Sequence, residues 1–224
     1  MADIYKYRIT YKKTGTARYL GHLDMMRAFQ RAIRAAGLQP RYSEGFNPHI
    51  ILSFAQPLPV GMTGLGELAD TELLEPFSQE YIISELNAAF PRGLEAIAVR
   101  ALYPGEKTTA ALVRAAEYAI TASVQGDGDL KQAAEELMES FSVIIRTEKK
   151  GKAPSEVNIR GHITELSVKG TSVRAVLSCG GQGNLRPEIM LSALCDKAGV
   201  FMDPNRTEYT RARLIMQNAS EGIL

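Results

Sequence analysis

Cysteine and histidine are scarce in this chain, and the scarcity excludes several chemistries. The two cysteines, Cys179 and Cys195, form no CxxC and no cluster-binding triplet, and each lies in an apolar stretch; both are expected to be buried, reduced thiols. The three histidines, His22, His49 and His162, are scattered and no helical stretch carries a zincin-type pair, so neither a metal nor a cofactor is expected. No apolar run approaches the roughly 20 residues that cross a bilayer. The N-terminus enters a strand-like pattern without the apolar stretch of a signal peptide. A cytoplasmic protein with no membrane partner is expected. Glycine and proline, at 19 and 10 of 224 residues, are too few for a collagen-like or low-complexity chain. The 45% apolar share excludes disorder. A net charge of only +1 predicts no general affinity for nucleic acid.

What is present is a charge asymmetry. Residues 1–52 hold nine Lys and Arg against three Asp and Glu, a net of +6, and residues 53–100 hold two against seven, a net of −5. Such a chain can set a basic surface beside an acidic one without changing the total.

The hydrophobic pattern predicts an α+β protein. Tyr5, Tyr7 and Ile9 alternate with Lys6, Arg8 and Thr10 as in a half-buried strand. From His22 to Ala36 the period turns helical, with Met26, Phe29, Ile33 and Ala36 on one face and Asp24, Arg27, Arg31 and Arg34 opposite; Gly37 supplies the stop. Strands follow at residues 50–54 and 68–74, then a helix capped by Ser78, then a strand at 96–102 that places Ile97, Val99 and Ala101 on one face. The order is β-α-β-β-α-β. It repeats: a strand through Tyr118, Ile120, Ala122 and Val124, a helix capped by Asp129, a strand at 142–147, a hairpin over Lys169-Gly170, a helix from Pro187 to Gly199, and a strand to Met216. The second half thus contains one strand more. Two tandem ferredoxin-like (βαββαβ) units, residues 1–108 and 109–224, are predicted; a single larger α+β domain is the rival.

Three stretches together carry a family likeness: Arg18-Tyr19-Leu20-Gly21-His22-Leu23-Asp24-Met25-Met26-Arg27, Tyr42-Ser43-Glu44-Gly45-Phe46-Asn47-Pro48-His49, and Ser53-Phe54-Ala55-Gln56-Pro57-Leu58-Pro59-Val60-Gly61. Their combination resembles the bacterial radical-SAM-linked protein family, a domain of unknown function. Asn158-Ile159-Arg160 and Leu185-Arg186-Pro187-Glu188 extend the likeness toward the C-terminus. The resemblance implies a radical SAM protein as partner, since family members often stand beside or fused to one of the B12-binding type. After His49 this chain has Ile50-Ile51 where many relatives continue with Pro-Lys. It also has no CxxxCxxC pattern, so the resemblance does not make it a radical SAM enzyme.

Several residues can carry function. His22, at a helix start near Asp24, is either an acid/base imidazole or a histidine that fixes the turn. The stripe of Arg27, Arg31 and Arg34, with charge added by Lys12, Lys13, Arg18 and Arg41, is either a phosphate-binding face or a solvated one. In the Tyr42–His49 turn, Gly45 can take a positive φ, Phe46 can stack on a base or anchor the loop, and Tyr42, Ser43, Glu44, Asn47 and His49 supply polar groups. Gly180-Gly181-Gln182-Gly183-Asn184 before Arg186 is either an anion cradle at a helix start or a flexible connection. Arg146, Lys149, Lys150 and Lys152 form a basic loop. The leading expectation is an RNA-binding accessory protein, with the first helix and the Tyr42–His49 turn meeting in one basic recess. The alternatives are a metal-independent ribonuclease using His22 and His49, and a protein-binding scaffold that docks through the acidic residues from Glu67 to Glu85.

Overall fold

Alternation in the opening residues becomes β1, Tyr5–Lys13, which buries Tyr7, Ile9 and Tyr11. The structure, a computed structural model, describes residues 3–147, 155–181 and 183–217. They divide into two units: one runs up to Val113 and takes in Met216 and Gln217, the other runs from Arg114 to Ile215. The fold is α+β. No helix among the described residues is long and apolar enough to cross a membrane.

In the first unit β1 is followed by α1 (His22–Ala35), β2 (Leu52–Phe54), β3 (Thr63–Leu73), α2 (Gln79–Ala89), β4 (Leu94–Ala101) and a single turn, α3 (Thr109–Leu112). Its strands lie in the order β4-β1-β3, with β2 paired to β3, and every one of these pairs is antiparallel. The helix α1 buries Met25, Ala28, Phe29, Ala32 and Ile33. Met25, rather than the expected Met26, leads the buried face, because Ala28 and Ala32 widen the apolar stripe toward it. Beneath α1 an aromatic cluster forms: the Phe29 ring lies 4.9 Å from Tyr11, 5.0 Å from Phe54 and 4.7 Å from Phe90. Edge-on contacts of this kind add about 0.5–1.5 kcal/mol each beyond area burial.

Two expectations for this unit are corrected. The polar side of β1 is not simply solvated: Arg8 is buried, its guanidinium donating to both Asp70 oxygens (2.9 and 3.3 Å), to Glu106 and to the Lys107 carbonyl. Asp70 also accepts the Thr109 N–H at 2.7 Å, so the residues after β4 cover that face. In β4, Ile97 and Ala101 are exposed while Leu94, Ala96 and Val99 are buried. A β-bulge explains this. Thr10 and Tyr11 pair with Ala98 and Ala96, leaving Ile97 as the extra residue and shifting the alternation by one. Asn87 of α2 holds the bulge, donating to the Ala96 carbonyl and accepting from its N–H.

The second unit contains β5 (Val113–Thr121), β6 (Val124–Gln125), α4 (Leu130–Glu139), β7 (Ile144–Thr147), β8 (Ser155–Asn158), β9 (Ile163–Lys169), β10 (Ser172–Ser178), α5 (Pro187–Ala198), β11 (Phe201–Met202) and β12 (Glu208–Met216). Its main strands run in the order β12-β5-β10-β9, with β6 paired to β11 and β7 to β8. Asp129 caps α4 by accepting from the Lys131 and Gln132 amides. Pro187 opens α5, and Gly199, at φ +69°, closes it. Asn158-Ile159-Arg160 is structural: Ile159 is buried, and Arg160 donates to the carbonyls of Met138 and Ile163, closing the end of α4. Cys179 and Cys195 are free and buried. Burial, with Asp196 nearby, pushes the Cys195 thiol up to about 11.

Candidate anion-binding site

The site grows from a 3-10 turn, Gly15–Tyr19, that joins β1 to α1. Two long-range bonds and one local bond fix this turn. The Thr14 N–H donates to the Gly93 carbonyl (2.8 Å) and the Gly61 N–H to the Arg18 carbonyl (2.8 Å); the buried Lys13 ammonium donates to the Leu20 carbonyl (2.8 Å). Gly93 sits at φ +92°, and a Cβ there would run into the Thr14 carbonyl oxygen and Ala17. Only glycine lets the Pro91–Gly93 turn come this close.

The contact opens a cleft of about 430 Å³ lined by Thr16, Ala17, Leu20, Asp24, Arg27, Ala28, Arg31, Pro91 and Arg92. Three arginines and one acidic residue thus line the same cleft. Arg27 pairs with Asp24 at 3.5 Å, both largely exposed, which is a weak surface contact. Among the described residues no ion pair engages Arg31 or Arg92. Guanidinium forks match the oxygens of phosphate and carboxylate in pairs, which makes the cleft a candidate anion site. Among the described residues, no group of three His, Cys, Asp or Glu could hold a metal ion.

Asp24, Arg27 and Arg31 therefore come together, and Arg92 joins them. Sequence reading missed Arg92: Pro91-Arg92-Gly93 looks like a mere helix terminator, and its meeting with Thr14 is a long-range event without a local signal. Arg18 lies next to the cleft on the same turn, with its guanidinium over the Tyr19 ring at 4.9 Å. His22 is exposed, edge-on to Phe54 at 5.8 Å, beside a shallow depression formed with Tyr11, Lys13, Met25, Pro57 and Leu58.

The Tyr42–His49 turn is a separate small hairpin that lines none of the cleft. Tyr42 and Ile50 form an isolated bridge, and the Ser43 hydroxyl lies 2.9 Å from His49 Nδ1 while accepting the His49 N–H at 3.1 Å. Gly45 has φ +115°, and Phe46 is fully exposed, as are Glu44 and Asn47. Phe46 does not anchor the loop. His22 and His49 have different partners throughout.

Arg186 lies in the second unit, exposed, 3.6 Å from Glu188. In the glycine-rich run before it, Gly183 packs closely, since a Cβ there would come within 2.6 Å of the His162 ring, whereas a Cβ on Gly181 would meet nothing within 4 Å. Gln182, Lys149, Lys150 and Lys152 lie outside the described residues. Part of the expected acidic docking surface is engaged, while Glu75 and Glu80 are exposed. Glu67 and Asp70 are buried, and Glu72 pairs with Lys6 (2.9 Å) and Arg41 (2.7 Å), because β3 lies directly beside the basic strand β1.

Comparison with other proteins adds the following. A search of curated proteins gives no match. Among solved structures, the chain is similar to the crystal structure of an unknown protein from Galdieria sulphuraria, at 12% identity over 92% of this chain and 99% of that one, with a TM-score of 0.31. A likeness at that level carries no argument about fold or activity. A family model described as an uncharacterized protein conserved in bacteria (DUF2344) matches residues 6–187. With most of its length matched, from β1 to the first residue of α5, the chain belongs to this bacterial family.

Proposed function

We propose that this chain is an accessory protein that binds RNA, tRNA or rRNA, through the α1 cleft and works with a radical SAM partner on its modification or processing. The observation that carries the RNA reading is the cleft itself: Arg27, Arg31 and Arg92 line it together with one acidic residue, Asp24. Phosphate is the anion that three exposed guanidiniums fit best, since each can offer it two parallel N–H bonds. The partner rests on the family resemblance of the three motif stretches. We further propose that the two units are tandem ferredoxin-like units. Support comes from the strand orders β4-β1-β3 with β2 on β3, and β12-β5-β10-β9, each with its third main strand set between the first and second.

RNA binding followed across a salt series tests the reading. Each phosphate neutralised on a single strand contributes about 0.7 to the slope of log K against log salt. Replacing Arg27, Arg31 and Arg92 together by Gln should lower that slope by about 2. A salt-independent or absent interaction in the unaltered protein would remove the reading.

A further inference from the structure

We infer that Tyr19 is a base-stacking platform at the mouth of the arginine cleft, so that the preferred ligand is RNA with an unpaired base rather than a duplex. This rests on the RNA reading above and adds to it the form of the substrate. Tyr19 closes the same 3-10 turn whose Thr16 and Ala17 line the cleft, and Leu20, the next residue, lines it too. The ring is 59% exposed, which is high for a large aromatic side chain without a packing role. Arg18 places its guanidinium over the ring at 4.9 Å and donates to the phenol oxygen at 2.8 Å. A cation over the ring fixes its orientation. The turn itself is held by the bonds to Gly93, Gly61 and Lys13. The platform is therefore built before the ligand arrives, which lowers the ordering cost of binding.

Position then dictates the ligand. A base laid on Tyr19 brings its own phosphates toward Arg27 and Arg31, which rise along α1 one turn apart. An aromatic face beside a cationic groove is the arrangement that binds single strands with little sequence preference. Bases inside a duplex are already stacked and cannot reach the ring without unpairing.

The test uses the whole chain and a fluorescently labelled single-stranded RNA decamer, alone and annealed to its complement. Single-strand binding should exceed duplex binding by about tenfold or more. Tyr19→Ala should weaken single-strand binding by about 5- to 150-fold, the span of base–aromatic stacking, without changing the salt slope. Tyr19→Phe should retain most of the affinity, and Tyr103→Ala, an exposed tyrosine elsewhere in the unit, should retain all of it. The chain contains no tryptophan, so Tyr19→Trp installs a lone indole whose emission should be quenched by the single strand and not by inorganic phosphate. Equal affinity for strand and duplex, or wild-type binding by Tyr19→Ala, overturns the platform. If the arginine-dependent salt slope survives that result, the RNA reading stands and Tyr19 faces another partner, such as a protein. If the unaltered protein binds neither form, both inferences fall together.

Discussion

Strand β1 and helix α1 are neighbours in sequence and both are rich in cations, yet they use them differently. On β1, Lys6, Arg8 and Lys12 face Glu72, Asp70 and Glu95 as register partners on β3 and β4, and each makes the corresponding ion pair, at 2.9, 2.9 and 3.3 Å. On α1, Arg27 pairs, among the described residues, only with Asp24 of its own helix. Antiparallel pairing places side chains directly opposite one another, so the cations of β1 that face Glu72, Asp70 and Glu95 are neutralised one by one. A helix facing water has no such register. Part of the +6 and −5 of the two sequence segments therefore cancels at the sheet, while the arginines of α1 and Arg92 have no register partner.

Breaking the strand side should have the largest effect. Arg8→Met leaves the buried Asp70 carboxylate without its guanidinium and still accepting from the Thr109 N–H. The loss should be about 3–5 kcal/mol, read as a fall in the urea midpoint. Near-equal stability would show that the pair is dispensable.

The helix side should respond the other way. Arg27→Gln, Arg31→Gln and Arg92→Gln, taken singly, should each stay within about 0.5 kcal/mol of the parent in stability, because none makes a buried contact, yet together they should abolish most RNA binding at moderate salt. Loss of stability on the scale of Arg8→Met would erase the contrast drawn here.

Gly93→Ala probes the junction between the two. Its positive φ and the collision with Thr14 predict a cost of about 1–3 kcal/mol, together with weaker binding, since the turn carrying Arg92 must shift. Unchanged melting and unchanged binding would mean that the turn is not rigidly placed.

Glu72 sharpens the strand side further. Burial alone would raise its carboxyl, but hydrogen bonds from Lys6 and Arg41 outweigh it and hold the group below its ordinary 4.5. A carboxyl depressed in the folded state contributes stability above its unfolded pKa and loses it as pH falls through the folded value. Glu72→Gln should therefore flatten the acid limb of the stability profile, seen as converging urea midpoints as pH is lowered through and below 4.5. The smallest effect belongs to the exposed pair Lys12–Glu95: a double-mutant cycle should return under about 1 kcal/mol, less in high salt.

Local chemistry explains how much was readable beforehand. Ser78, Asp129, Pro187 and Gly199 mark helix ends because their capping and φ preferences act within a few residues, and the structure uses each as expected. Ile97 was placed on the wrong face because a bulge is a property of two strands, visible only once Thr10 and Tyr11 have their partners. β8, which pairs with β7, has no signal in the sequence for a different reason: Ser155–Asn158 is exposed throughout, so it carries no alternation. In the site, Asp24, Arg27 and Arg31 were legible as a stripe because helical spacing aligns them. Arg92 was not, and neither was the separation of the Tyr42–His49 hairpin from the cleft.

The sequence by itself determined the α+β pattern, the ends of the main helices and the cationic face of α1, since periodicity and capping depend on neighbours within one or two turns. Only the tertiary structure decided which cations remain available. Whether an arginine is neutralised depends on what the register sets across from it, and that distance is spanned by packing, not by the chain.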